Sequence, residues 1–127
     1  LPQVIERAKA AGVRKVFMPN IDDTTIRELL EVCEAYKGFC YPMLGFHPTS
    51  VDGDYKARLM PMKKLLTEGH PYIAIGEVGM DLYWDKTYLK EQQKALDIQV
   101  QWALEYHLPL VLHCREAFPE LFEVMEP

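Results

Sequence analysis

Residues 72–114 read YIAIGEVGMDLYWDKTYLKEQQKALDIQVQWALEYHLPLVLHC, and they contain one complete strand–helix–strand unit. Tyr72 to Ile75 is a short apolar run of the kind a buried strand shows, and it closes on Gly76-Glu77. A loop rich in turn residues follows. From roughly Thr87 to Tyr106, Leu89, Leu96, Val100 and Ala103 fall on one face of a long helix. Leu110 to Leu112 is a second apolar run, closing on His113-Cys114. Two short buried strands joined by a helix are parallel, because only a crossover can bring the chain back in the same direction.

The same rhythm extends to both sides. Leu1, Val4, Ile5, Ala8 and Ala11 share a helical face, with Gly12 placed to end that helix. Val16, Phe17 and Met18 form a strand core ending at Pro19-Asn20. A second helix is expected to start at Asp22 or Asp23, both good caps, with Ile26, Leu29, Leu30 and Cys33 on its apolar face and Gly38 as its stop. Phe39 to Leu44 is the next strand, broken by Gly45 and followed by His47-Pro48. A third helix is expected to carry Leu59, Met62, Leu65 and Leu66, and to end at Gly69. From Glu116 a further helix opens. The fold class is α/β, with four buried strands alternating with helices around a parallel sheet.

Composition narrows the function. The 127 residues are 49% apolar and 26% charged, ordinary for one globular domain, and no run is long enough to span a membrane. Nothing at the start reads as an export leader, so a cytoplasmic location is expected. Cys33, Cys40 and Cys114 lack metal-knuckle spacing and read as reduced thiols packed as small hydrophobes. The net charge of −5 argues against a broad surface that coats nucleic acid. It leaves room for a small phosphate-handling pocket, where a bound cation supplies charge.

Each strand runs out into a polar residue: Asn20, His47, Glu77, His113. In parallel α/β folds ligands bind at that end. Glu77 lies between two glycines, and a carboxylate there must be paired, protonated or bound to a cation. Its flanking glycines leave space for such a cation. His113 ends the adjacent strand and offers an imidazole, so the two make half of a metal site; alone, each is as readily a satisfied core residue. His47 is either a site residue or a structural turn histidine. Asp81 either orients a ligand or caps the following loop. Arg115 either meets an anionic group beside His113 or serves as a salt-bridge partner. Tyr83 and Trp84 either wall a pocket and stack on a base or pack in the core, with the core favoured. His70 and His107 sit in turns at the opposite end. Cys114 has no base placed to make it a nucleophile.

Gly76-Glu77-Val78-Gly79-Met80-Asp81 followed by Tyr83, then Pro109 through His113-Cys114-Arg115 after a glutamine-rich helix, resembles the TatD family of metal-dependent hydrolases. Gly45-Phe46-His47-Pro48 resembles that family's Gly-x-His-Pro element. Met80 and Leu82 depart mildly from the pattern, standing where leucine and an aromatic are more usual. The resemblance implies an amidohydrolase-like TIM barrel, many of whose members are deoxyribonucleases. It implies that Glu77 is the carboxylate bridging two divalent metals (Mg, Mn or Zn) and that His113 is a ligand. DNA is then the substrate, with His47, Arg115, Asp81 and Tyr83 on the substrate side. The alternatives are an amide or ester hydrolase of the amidohydrolase type, and an inactive barrel piece acting by association.

A complete barrel of this kind takes about 250 residues. About four βα units are present, no His-x-His precedes Leu1, and the family's later histidine and aspartate do not appear. The expectation is therefore residues 1–127 as a single incomplete TIM-barrel domain, an internal fragment that is inactive alone. Exposed sheet edges would give it a tendency to self-associate.

Overall fold

A computed structural model describes residues 1–126. Its elements alternate as the sequence pattern requires: α1 (Pro2–Ala10), β1 (Val16–Pro19), α2 (Ile26–Ala35), β2 (Cys40–Met43), α3 (Tyr55–Leu59), β3 (Ile75–Asp81), α4 (Leu89–Glu105), β4 (Leu110–Arg115) and α5 (Phe118–Met125). Two short 3-10 turns, Pro48–Ser50 and Met60–Leu65, lie between β2 and β3. β1 pairs with β2 and β3 with β4, both in parallel. A bridge between Leu44 and Ile75 joins the two pairs, so the strands run in the order β1-β2-β3-β4. The Gly76 amide donates to the Leu44 carbonyl at 2.8 Å and the Ile73 amide to Pro42 at 3.0 Å, extending that junction. The architecture is α/β, a partial TIM barrel.

Two apolar clusters hold the elements. The larger packs Leu44, Phe46, Leu59, Ile75, Val78, Met80, Leu96 and Trp102, binding β2 and β3 to α3 and α4. The smaller gathers Ile5, Leu29, Cys33, Phe39 and Cys40 between α1, α2 and β2. Phe17, Val111 and Leu112 are exposed.

Several sequence expectations need correction. The apolar stripe of α1 buries only Ile5, while Leu1 and Val4 face solvent. α2 begins after Thr25, not at Asp22 or Asp23. Asp22 instead folds a local turn, its Oδ1 accepting from the Thr24 amide at 2.8 Å, and Asp23 accepts from Arg58 at 2.8 Å. The expected third helix splits. Pro61 has no N–H to continue an α-helix, so α3 ends at Leu59, the chain tightens into a 3-10 turn, and Leu65 is exposed.

The correction that matters most is in β3. Its ladder does not stop at Ile75; it begins there and runs to Asp81, placing Glu77 within the strand and Asp81 at its end. Gly79 makes this continuation work. Its φ is +145°, and a Cβ there would fall 1.9 Å from the His113 carbonyl oxygen. Only glycine lets β4 approach β3 so closely. The glycine serves backbone approach rather than leaving space for a cation, as the sequence had implied.

Candidate metal centre

Three strands contribute to one cluster. His47 follows β2, Glu77 lies in β3 and His113 in β4, and one ligand atom from each lies within 4.8 Å of the others. Glu77 Oε1 stands 3.1 Å from His47 Nε2 and 3.1 Å from His113 Nδ1. The imidazole rings are 4.5 Å apart, centroid to centroid. Glu77 and His113 are thus brought together, with His47 beside them.

Asp81 explains how His113 is held. It is buried, and its Oδ2 accepts from His113 Nε2 at 2.8 Å. Its other oxygen accepts from the Tyr83 amide at 3.0 Å. Asp81 therefore both holds the His113 ring and caps the loop that follows, where the sequence had offered ligand orientation or loop capping as alternatives. With both oxygens engaged and the side chain enclosed, direct contact between Asp81 and a substrate is disfavoured. The β3–β4 register produces the pairing, since Gly79 lies opposite His113 and Asp81 opposite Arg115.

The hydrogen bonds also sort the two histidines by role. Asp81 fixes the His113 proton on Nε2, which leaves the Nδ1 lone pair facing Glu77. An imidazole lone pair and a carboxylate oxygen at 3.1 Å repel each other unless a cation or a proton lies between them, and this donor set suits a divalent metal. At His47, the Thr49 amide donates to Nδ1 at 3.2 Å, with the Thr49 hydroxyl at 2.7 Å. The proton then sits on Nε2 and is donated to Glu77 at 3.1 Å. His47 is in this state a hydrogen-bond donor rather than a ligand. Burial pushes its pKa below the ordinary 6.5, helped by the neighbouring His113 and partly opposed by Glu77. Both effects favour the neutral ring.

The supporting shell was not legible in the sequence. Gln99 lies on the buried face of α4. Its Oε1 accepts from the Phe46 amide at 2.7 Å and its Nε2 donates to the Phe46 carbonyl at 3.3 Å. Gln92, two helical turns earlier, does the same for Asp81, at 2.8 and 2.9 Å. Each glutamine completes a backbone position adjoining or within the site, at residues 46 and 81. The available signal was a pair of glutamines seven positions apart on the apolar face of a helix, a costly placement unless both ends are satisfied. Asn20 is likewise buried, its amide donating to the Gly45 carbonyl at 2.9 Å and to Asp22. It braces the loops from below and offers nothing to the cluster.

The remaining candidates separate clearly. Tyr83 and Trp84 are exposed and not core residues, and Asp81 Oδ1 accepts from the Tyr83 amide. The Arg115 guanidinium lies 3.6 Å above the Tyr83 ring and makes no ion pair among the described residues. His70 accepts from the Tyr72 amide, away from the cluster. Cys114 is a free thiol whose pKa burial pushes up, which makes it a poor nucleophile.

Across residues 1–127 the sequence matches the family described as TatD related DNase. The chain belongs to the TatD family. Among its relatives is the uncharacterized metal-dependent hydrolase YabD of Bacillus subtilis, 32% identical over 99% of this chain and 49% of that protein. The 3′-5′ ssDNA/RNA exonuclease TatD of Pantoea ananatis is 30% identical over 98% of this chain and 48% of its own length. The crystal structure of the TatD homolog YJJV from Escherichia coli superposes with a TM-score of 0.87 at 30% identity, covering 96% of this chain and 47% of that one. The chain spans about half the length of the curated relatives it matches. The names of these relatives are those of metal-dependent hydrolases and exonucleases. No helix among the described residues is long and apolar enough to cross a membrane.

Proposed function

We propose that residues 1–127 form about four βα units of a single TIM-barrel domain that hydrolyses phosphodiester bonds in DNA at a two-metal site. The observation that carries this reading is the convergence of Glu77 and His113 Nδ1 at 3.1 Å, with Asp81 fixing the His113 proton on the far nitrogen. Glu77 would be shared between two divalent ions (Mg, Mn or Zn), and His113 would hold one of them. When bound, such ions polarise a phosphoryl oxygen and make water acidic enough to attack at neutral pH.

The chain's own residues do the rest. Asp81 keeps the His113 lone pair directed inward. His47, neutral and with its single ring proton on Nε2, donates to Glu77 and so steadies that carboxylate; to serve a phosphate oxygen it would have to turn that same proton away from Glu77. Arg115 and Tyr83 lie at the rim, where a polyanion arrives. With only two ligands of its own, this chain alone should bind metal weakly and be inactive as a nuclease. Its apolar strand faces, Phe17, Val111 and Leu112 among them, favour self-association. Reduced cysteines fit a cytoplasmic enzyme.

The test is Glu77→Ala in a full-length protein carrying these residues. Cleavage of a DNA oligonucleotide should vanish at saturating metal while the far-UV spectrum stays the same. Retained cleavage would refute the assignment, and faster turnover of small esters than of DNA would favour an amidohydrolase.

A further inference from the structure

The turn that carries His47 is gripped by the loop between β1 and α2. The Ile21 carbonyl accepts from the His47 amide at 2.6 Å, and Asp22 Oδ2 accepts from the Ser50 hydroxyl at 3.1 Å. Residues 21 and 22 therefore hold both ends of the turn 47–50. The other oxygen of Asp22 is taken by the Thr24 amide and hydroxyl, which shapes the gripping loop itself.

That loop depends in turn on one side chain of α3. Arg58, partly buried, donates from Nε and Nη2 to Asp23 Oδ1 at 3.0 and 2.8 Å, and its Nη2 stands 3.5 Å from Asp22 Oδ2. Its Nη1 lies 3.7 Å from Asp52 Oδ2, beyond the turn. The guanidinium also sits 5.2 Å over the buried ring of Phe46, the residue before His47. One cation thus meets the chain before the His47 turn, the chain after it, and the loop that grips it. Among the described residues no other cation lies within ion-pair distance of these three carboxylates. Without Arg58 the three like charges are left facing one another, so its loss turns a bridge between the loops into a repulsion. An isolated exposed pair would matter little, but a fork shared among several carboxylates fixes geometry as well as charge.

We infer that Arg58 is a positioning residue for the metal centre: by holding Asp22 and Asp23 it fixes where His47 stands against Glu77. The His47 ring cannot adjust on its own, because Nδ1 is tied within the turn to the Thr49 amide while Nε2 spans 3.1 Å to Glu77. A displacement of the turn by about 0.5 Å takes that second bond to the limit of a useful hydrogen bond. The inference rests on the reading of Glu77 as a metal-holding carboxylate, and it adds control of that carboxylate from a separate helix.

Two measurements on the full-length protein carrying these residues test it. In the metal-free protein the Nε2 proton of His47, bonded to Glu77 and sheltered, should give a slowly exchanging NMR line. Arg58→Gln should lose that line to exchange with water, whereas Arg27→Gln, which breaks only the exposed pair with Glu31, should keep it. Calorimetric titration with Mn2+ should show Arg58→Gln binding roughly 3- to 10-fold more weakly, less than the 10- to 100-fold expected of a residue directly behind a ligand. In a His47→Ala background the same substitution should change affinity by less than about twofold, because the effect passes through that ring. An unmoved His47 line in Arg58→Gln would overturn the inference. So would an equal loss of affinity with and without His47, which is the mark of a general weakening of the fold. Should Arg58→Gln fail to fold, Arg58→Lys keeps the charge without the fork and carries the same comparisons with smaller shifts. Neither measurement involves DNA, so failure of the nuclease reading leaves both standing. If even the native protein bound no Mn2+, the metal reading would fall while the His47 line still decided the role of Arg58.

Discussion

Replacing Asp81 with asparagine should move a single proton, and the consequence can be worked out from the two bonds that carboxylate makes. The Tyr83 amide donates to Oδ1 at 3.0 Å, so an asparagine must keep its carbonyl oxygen there; the flipped amide would set two donors against each other. The NH2 group then falls where Oδ2 was, 2.8 Å from His113 Nε2. Two N–H groups cannot share that contact. The imidazole must give up its Nε2 proton and carry it on Nδ1, where it points at Glu77 Oε1, 3.1 Å away. Glu77 gains a hydrogen bond, and the lone pair meant for a metal is gone.

The size of the effect follows from what is exchanged. A charge-assisted bond worth about 1.5–3 kcal/mol is replaced by a neutral one worth about 1 kcal/mol, so the fold should survive. Metal affinity should fall roughly 10- to 100-fold, the usual consequence of disturbing the carboxylate behind a histidine ligand. Calorimetric titration of the full-length protein with Mn2+ measures the ratio. Nitrogen-resolved NMR of the His113 ring reports which nitrogen is protonated. Unchanged affinity with the proton still on Nε2 would refute the tautomer argument. Weakened affinity with an unchanged tautomer would show that Asp81 acts through charge alone.

Two further changes test the framework around the centre. Gly79→Ala places a methyl 1.9 Å from the His113 carbonyl oxygen at a φ of +145°, so β3 and β4 must part by roughly 1 Å. A loss of about 2–5 kcal/mol in urea unfolding is expected from strain and overpacking together, whereas Gly53→Ala, with nothing within 4 Å, should change little. Gln99→Leu strands the Phe46 amide and carbonyl in the core and should cost about 2–4 kcal/mol while shifting the His47 ring resonances. Gln101→Leu, on the exposed face of the same helix, should stay within about 0.5 kcal/mol of the native protein.

The parts of this protein that the sequence displays are those set by periodicity. The spacing of α4 and the apolar runs at Val16, Cys40 and Leu110 needed no tertiary information. The pairing of Glu77 with His113 was legible because both stand beyond or within neighbouring apolar runs. β3 was misjudged because glycine ordinarily signals a break. At Gly79 the reason for glycine is a neighbouring backbone, which no local pattern records. Pro61 was visible but outweighed by the leucines around it. Tyr83 and Trp84 are apolar enough to read as core, and their exposure in the loop after β3 is set by tertiary placement that no local pattern records.

The histidines show why a ligand list differs from a site. By distance, His47 and His113 are equivalent, each with a nitrogen 3.1 Å from the same Glu77 oxygen. They differ in what stands behind them. A carboxylate behind His113 accepts a hydrogen bond from the far nitrogen, which holds the proton there and leaves the near one free to bind a cation. A backbone amide behind His47 donates a hydrogen bond to the far nitrogen and so keeps the ring's proton on the near one. Donor and acceptor are therefore assigned by the helix–strand contacts that place Asp81 and Thr49, with Gln92 securing the backbone of the first. The polarity of the centre is in this sense a property of the fold around it, and exchanging the partners behind the rings should exchange the roles of the rings themselves.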